Sequence, residues 1–225
     1  FDGINSYDKA FFSWGFMQFA GGGRSLHTLL ALMKYRNADL FYDVFQRFGI
    51  DVEYTFSNNR FQPAATRLVV FVPDSSDGKT ILKGEDAEKH IRSNKFLHAV
   101  FIRAGHNQQI AELQALFAMY EYANPALKRS ITVLGQKIKT TDIISSEAGM
   151  AALIDMSINK GVGGAARLFQ NAIAATAQAT GIRSVSQLKG INEAKVLQNM
   201  INANRADKRI AKRVGAAMHE FSTSK

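Results

Sequence analysis

Asp8-Lys9-Ala10-Phe11-Phe12-Ser13-Trp14-Gly15-Phe16-Met17-Gln18-Phe19 is the stretch on which the reading of this chain turns. It places one carboxylate, one hydroxyl and one amide among closely spaced aromatic rings, with a glycine between them. A sugar-binding cleft asks for that mixture: aromatic faces cover the apolar side of a pyranose, and short polar groups bond its hydroxyls. The same rings, taken on hydrophobicity alone, make a packed core. The residues by themselves leave both readings open.

Outward from this stretch, Gly21-Gly22-Gly23 interrupts the chain and Ser25 to Arg36 (SLHTLLALMKYR) follows. Leu26, Leu29, Leu30 and Met33 recur at three- and four-residue spacing, which predicts an amphipathic helix opened by a serine cap. Ala38 to Phe48 repeats the pattern and stops at Gly49. Asp51 to Phe56 alternates and Arg67 to Val72 is β-branched, so each predicts a strand, and Pro73-Asp74-Ser75-Ser76-Asp77-Gly78 predicts a turn. Beyond Glu85 the periodicity is helical almost throughout: 86–92, 96–103, 107–123, 147–159, 165–178, and 192–219 with breaks. Pro125 and Gly161-Val162-Gly163-Gly164 supply the punctuation. The predicted class is mainly α with a small β element, an α+β fold.

At 225 residues the chain can fill one large domain or two closely joined lobes. No run of eighteen apolar residues exists to span a bilayer as a helix. With no cysteine, disulfides, thiolate metal sites and a cysteine nucleophile are excluded. The net charge of +9 and pI near 9.8 make a field that attracts polyanions, the anionic bacterial wall and nucleic acid among them. Arg205, Lys208, Arg209, Lys212 and Arg213 concentrate that charge at helical spacing, consistent with a solvated face over Val214, Ala217 and Met218 or with a binding surface. Most aromatics lie between Phe1 and Phe101, far from this cluster, which counts against interleaved stacking on nucleic acid.

Several chemistries lack their signatures. His27, His90, His98, His106 and His219 are scattered with no HExxH, so no metal or other cofactor is expected. Residues 74–78 lack the alternating oxygens and distal Glu of a calcium loop, and no GxSxG or GxxxxGK[ST] occurs. Gln108, Gln109, Glu112 and Gln114 form a polar helix face that could also bind sugar.

The first motif, continued through Gly21-Gly22-Gly23-Arg24-Ser25-Leu26, resembles the lysozyme superfamily, especially its chitosanase-like branch and peptidoglycan-cutting relatives. There a small-Gly-apolar-apolar-Gln-apolar strand precedes a Gly-rich turn and a long helix. A second motif, Met150-Ala151-Ala152-Leu153-Ile154-Asp155-Met156-Ser157-Ile158-Asn159-Lys160-Gly161 with the following Gly163-Gly164-Ala165-Ala166-Arg167-Leu168-Phe169-Gln170-Asn171-Ala172, resembles the buried helix of phage-type lysozymes and the helix after it. Gly161 is expected to end the first of these as a left-handed cap.

The resemblance implies a lysozyme-like two-lobed fold with a central cleft. Residues 1–225 would be one catalytic domain: a motif strand, two helices and a small β element over 1–80, and a helical lobe over 81–225. By the same correspondence Asp8 is the general base and Ser13 positions the attacking water. Asp2, Asn5, Tyr7, Trp14 and Gln18 line the substrate site, and Asp155 and Asn159 reach it from the second motif. Glycoside hydrolysis needs a second, proton-bearing carboxyl. The resemblance places that glutamate ahead of Asp8, in a first helix expected upstream of Phe1. Otherwise Asp2 takes the role or the protein is inactive; Glu53, on a predicted strand leading away from the cleft, is the best internal substitute but stands where relatives do not carry their acid. The implied function is a muramidase cleaving the β-1,4 bond of peptidoglycan, as the C-terminal domain of an antibacterial effector or phage lysin acting in the periplasm or cell wall, delivered without a visible signal peptide and held in check by an inhibitor or immunity protein. The rivals are a chitosanase- or chitinase-like hydrolase and a non-catalytic module binding glycan or nucleic acid.

Overall fold

The computed structural model of the chain describes residues 1–6, 11–23, 25–55, 63–73 and 78–224. It is an α+β protein, mainly helical with small antiparallel sheets. By their internal contacts the residues form two units, Phe1–Ala118 and Met119–Lys225. The sequence reading drew its lobe boundary at 80/81. The helices over 85–118 instead pack with the sheets and helices that precede them, because their apolar stripes face those elements.

The first unit opens with β1 (Ile4–Asn5), β2 (Ser13–Trp14) and β3 (Phe19–Ala20), an antiparallel meander with Ile4 opposite Trp14 and Trp14 opposite Phe19. The stretch expected to be one strand therefore turns back on itself. Gly15 takes φ +90°, and the Gln18 amide donates to its carbonyl at 3.1 Å. A Cβ at Gly15 would also stand 2.4 Å from Gln114 Oε1, so only glycine fits. The reversal sends Phe12, Trp14 and Phe19 inward, none more than 1% exposed. Trp14 meets Phe45 at 5.7 Å and Phe101 at 5.2 Å, and Phe19 meets Phe117 edge-on at 5.4 Å. Each such ring contributes roughly 2–3 kcal/mol by burial.

Helix α1 (Ser25–Arg36) buries Leu26, Leu29, Leu30 and Met33 as the spacing predicts, and Ala31 and Leu32 besides, so it runs through the centre of this unit. Ser25 is its first residue. Its hydroxyl accepts from the Ala20 amide at 2.8 Å and so ties the end of β3 to the helix start. Helix α2 (Ala38–Val44) is capped by Asn37, whose side chain accepts from the Leu40 amide at 3.0 Å, and a 3-10 turn (Gln46–Phe48) carries the chain to left-handed Gly49. The two predicted strands are β4 (Ile50–Thr55) and β5 (Ala64–Pro73), and an unpredicted β6 (Lys79–Lys83) completes an antiparallel sheet in the order β4-β5-β6. Of the segment read as a turn, residues 74–77 lie outside the described residues. Helices α3 (Glu85–Ser93), α4 (Lys95–Gly105) and α5 (Gln108–Ala118) finish the unit.

The second unit starts with a π-helical turn (Met119–Ala123) and α6 (Asn124–Lys128), with Pro125 in the first turn, where its missing N–H costs nothing. The hairpin of β7 (Ser130–Val133) and β8 (Gln136–Lys139) closes through Leu134 and Gly135 at φ 53° and 75°. A 3-10 turn (Thr140–Asp142) leads to α7 (Glu147–Thr180), which holds both predicted helices, broken at Gly161 with φ 70° and ψ 158°. That ψ is extended, so the expected left-handed cap is instead a kink. Short α8 (Val185–Leu188), α9 (Glu193–Ala203) and α10 (Lys208–Glu220) follow, the last two splitting the predicted 192–219 helix. Leu153, Met156, Phe169 and Ile173 of α7 pack with Leu197, Met200 and Val214 to form the core.

The start of α7 is fixed by a buried carboxylate. Glu193, 2% exposed, accepts from the Ser145 amide at 2.9 Å, the Ser146 amide at 3.0 Å and the Ser146 hydroxyl at 2.6 Å. Ser146 in turn caps α7 by accepting from the Gly149 amide at 3.1 Å. A single side chain thus satisfies donors that the helix end leaves open.

Candidate functional site

The first motif does its work through the turn it makes. Gln114 of α5, fully buried, accepts from the Phe16 amide at 3.3 Å and donates to the Phe1 carbonyl at 3.0 Å. This clip brings two exposed rings together: Phe1 and Phe16, each 47% exposed, lie 4.8 Å apart and tilted by 58°. Gln18, exposed at the end of the turn with φ 54°, donates to the Gly15 carbonyl at 3.2 Å and lies over Gly3.

Beside the rings a pocket of about 420 Å³ is lined by Phe1, Asp2, Gly105, His106, Gln108 and Glu112 among others. Helix α4 ends at Gly105, where a Cβ would stand 2.5 Å from the Asp2 Cα; a bare backbone there lets β1 approach the helix end. His106, the cap of α4, then holds its Nε2 3.2 Å from the Asp2 carboxylate. From the next helix Gln108 donates to Glu112 at 2.9 Å. The pocket thus offers two carboxylates, an imidazole, an amide and an aromatic edge.

A second polar pair lies inside the same unit. His27 of α1 and Glu88 of α3, both about 5% exposed, place Nε2 2.8 Å from Oε1. The distance is that of an ion pair, yet His27 Nε2 has no hydrogen-bond partner of good geometry among the described residues, so the contact is electrostatic rather than a directed bond. The Glu88 carboxyl rests against Gly21, where a Cβ would come within 3.2 Å of it, and so supports the glycine turn from below. His98 stacks on Phe12 at 5.5 Å. With α4 ending at Gly105, His98 and His106 do not share one helix face.

The sequence-predicted site residues fall into four groups. Asp8 and Tyr7, the expected base and its neighbour, lie outside the described residues. Asp2 lines the pocket, while Gln18 and half-buried Asn5 belong to the same small sheet and turn. Ser13, 2% exposed, and Trp14, 0% exposed, point inward. Trp14 is therefore corrected from a sugar-stacking residue to a core one, since a ring enclosed by Phe45 and Phe101 offers no face to a ligand. Asp155 and Asn159 belong to the second unit, where Asn159 donates to Asp155 at 3.3 Å and Arg213 donates to the same carboxylate at 2.7 Å.

Glu53 makes a poor proton donor. A hydrogen bond from Lys83, helped by the charges of Lys83 and Arg67, holds its carboxyl below the usual glutamate range and keeps it ionised. Among the described residues no three His, Asp or Glu side chains converge as metal ligands, and no helix is long and apolar enough to cross a membrane.

Glu88 and His27 were missed from sequence. The signal was there for Glu88, which shares an apolar stripe with Ala87 and Ile91 on a helix whose other positions are mostly charged. A carboxylate on such a stripe needs a buried partner. Comparison with protein-family models, with curated proteins and with solved structures finds no match to the chain.

Proposed function

We propose that this chain is a lysozyme-type glycoside hydrolase that cuts the β-1,4 bond of peptidoglycan. The observation that carries the reading is the pocket beside the first motif. Exposed Phe1 and Phe16 offer ring faces for a pyranose, and Asp2, His106, Gln108 and Glu112 offer the hydroxyl-bonding and carboxyl groups that glycosidic cleavage requires. The resemblance of both motifs to lysozymes adds the assignment of Asp8 as base.

In this reading Asp8 removes a proton from water as its oxygen attacks the anomeric carbon, and a protonated carboxyl gives its proton to the departing glycosidic oxygen. His106, charged or neutral, orients Asp2 for a sugar hydroxyl. Within the chain, Glu112, which lines the pocket together with Asp2, is the candidate proton donor. The basic surface adds capture by an anionic wall, which weakens as salt screens it.

The test is release of reducing ends from purified peptidoglycan. Asp8→Asn is expected to lose at least about a hundredfold in rate, the scale of a lost general base; a full rate would overturn the assignment. A comparable loss in Glu112→Gln assigns the donor to Glu112, and an unchanged rate rules Glu112 out as donor. No reducing ends from the unmodified protein would sink the hydrolase reading as a whole.

A further inference from the structure

A cavity of about 670 Å³ lies elsewhere in the first unit, framed by α2, the 3-10 turn over 46–48, β5, β6 and the corner between α3 and α4. Its exposed rings are Tyr42, 55% exposed, and Phe96, 59% exposed, with half-buried Phe48 and Phe71 behind them. Arg47 and Lys79 bring positive charge, and Gln46, His90 and Asn94 bring hydrogen-bonding groups. Among the described residues no carboxylate lines it. At its rim Asp43 forms an exposed ion pair with Arg47 at 3.8 Å, which a ligand carboxylate would have to replace, and the Asp43 carbonyl accepts from Arg103 at 3.2 Å.

The arginines there are held in place. The guanidinium carbons of Arg47 and Arg103 each lie 4.8 Å from the centre of the Phe48 ring, a cation–π arrangement that reduces the freedom a ligand would have to remove. Phe48 and Phe96 stand 6.0 Å apart and 63° from parallel. Rings so inclined form no slot for a flat nucleobase, which stacks between or on parallel planes. A pyranose needs only single ring faces for its C–H side, together with amide and hydroxyl partners for its edge, and the groove supplies both.

We propose that this groove binds a sugar ring bearing a carboxylate, with the ring against Tyr42 and Phe96 and the carboxylate on Arg47 and Lys79. Arg47 and Lys79, with no carboxylate among the described lining residues, favour an anion, and an arginine pre-positioned by an aromatic ring suits a planar carboxylate. In a wall-cutting enzyme the matching sugar is N-acetylmuramic acid in glycan freed of its stem peptide, where the lactyl group keeps a free carboxylate. That identity rests on the proposed function; the preference for an acidic over a neutral sugar does not. The groove would hold the glycan apart from the pocket where cleavage is proposed.

The experiment is equilibrium binding, by calorimetry or by NMR titration, of N-acetylmuramic acid, N-acetylglucosamine and adenosine monophosphate to the whole protein. The acidic sugar is expected to bind at least about tenfold more tightly than the neutral one, the difference one charge-assisted contact makes. Arg47→Gln with Lys79→Gln should remove that preference, and Phe96→Ala or Tyr42→Ala should weaken both sugars; these side chains are exposed, and thermal melts check that the variants fold. Equal binding of the two sugars, tighter binding of the nucleotide, no binding, or variants that bind as before would each overturn the proposal. Cleavage is read separately. A protein that binds the acidic sugar at this groove yet releases no reducing ends sinks the hydrolase reading and leaves the groove standing. One that cleaves but binds the acidic sugar no better than the neutral one does the reverse.

Discussion

Residues 1–118 hold 13 basic and 12 acidic side chains, whereas residues 119–225 hold 15 and 7, so nearly all the net charge of +9 belongs to the second unit. The interiors differ as well. In the second unit the buried polar groups are bonded: Thr140 to the Arg129 carbonyl at 3.0 Å, Ser157 to Leu153 at 2.8 Å, Thr176 to Ala172 at 2.8 Å, and Ser146 to Glu193 at 2.6 Å. In the first unit Trp14 Nε1 and His98 Nε2 are buried without a hydrogen-bond partner among the described residues, and His27 Nε2 has only its close contact with the Glu88 carboxylate. An unmet buried polar atom costs about 1–3 kcal/mol. The unit with the candidate site therefore carries local cost around its first motif, and the basic unit carries its charge on a fully bonded frame.

The sharpest way to break this contrast is Glu193→Ala. It strips the Ser145 and Ser146 amides and the Ser146 hydroxyl of their acceptor inside the core and is expected to destabilise the protein by on the order of 3 kcal/mol, or roughly 10 °C in Tm by calorimetry. An unchanged melt would show that the frame does not depend on its buried carboxylate. His98→Phe probes the other side: it removes an unpartnered nitrogen while keeping a ring against Phe12, so denaturant unfolding should place it within about 1 kcal/mol of the parent, on the stabilising side. A loss as large as that of Glu193→Ala would erase the difference between the two interiors.

The smallest effect concerns Asp207, which caps α10 by accepting from the Arg209 amide at 3.1 Å. A hydrogen bond from Lys160, with the amides of Arg209 and Ile210, holds its carboxyl below the ordinary aspartate value of 3.8. A depressed acid stabilises the fold above its unfolded pKa and loses that contribution as pH falls through the folded one. The stability gap between the parent and Asp207→Asn should stay constant from neutral pH to about pH 4 and close below it. A gap that widened on acidification would contradict the assignment.

Helices were the most legible part of the chain. The three-and-four spacing located α1, α3 and α4 to within two residues, because those helices bury one apolar stripe each or more. Strand β6 escaped notice since Lys79, Thr80, Ile81 and Lys83 are exposed at a sheet edge and show no alternation. The β7–β8 hairpin escaped because Leu134 occupies a positive φ that asparagine ordinarily announces. At the candidate site, Asp2 lines the pocket and Gln18 lies in the neighbouring turn, but the strand expected there proved to be a turn. That reversal combines a local glycine turn at Gly15 with a long-range bond between Phe16 and a glutamine 98 residues away, and of the second the local pattern carries no trace.

That glutamine sets an unusual requirement on its position. Gln114 presents its oxygen to one amide and its nitrogen to one carbonyl, so its two ends have opposite polarity. A glutamate of nearly identical shape would face the Phe1 carbonyl with lone pair against lone pair, and a methionine would answer neither group. Size and hydrophobicity, the usual measures of a conservative exchange, therefore say little about what position 114 tolerates; the direction of the amide dipole decides it.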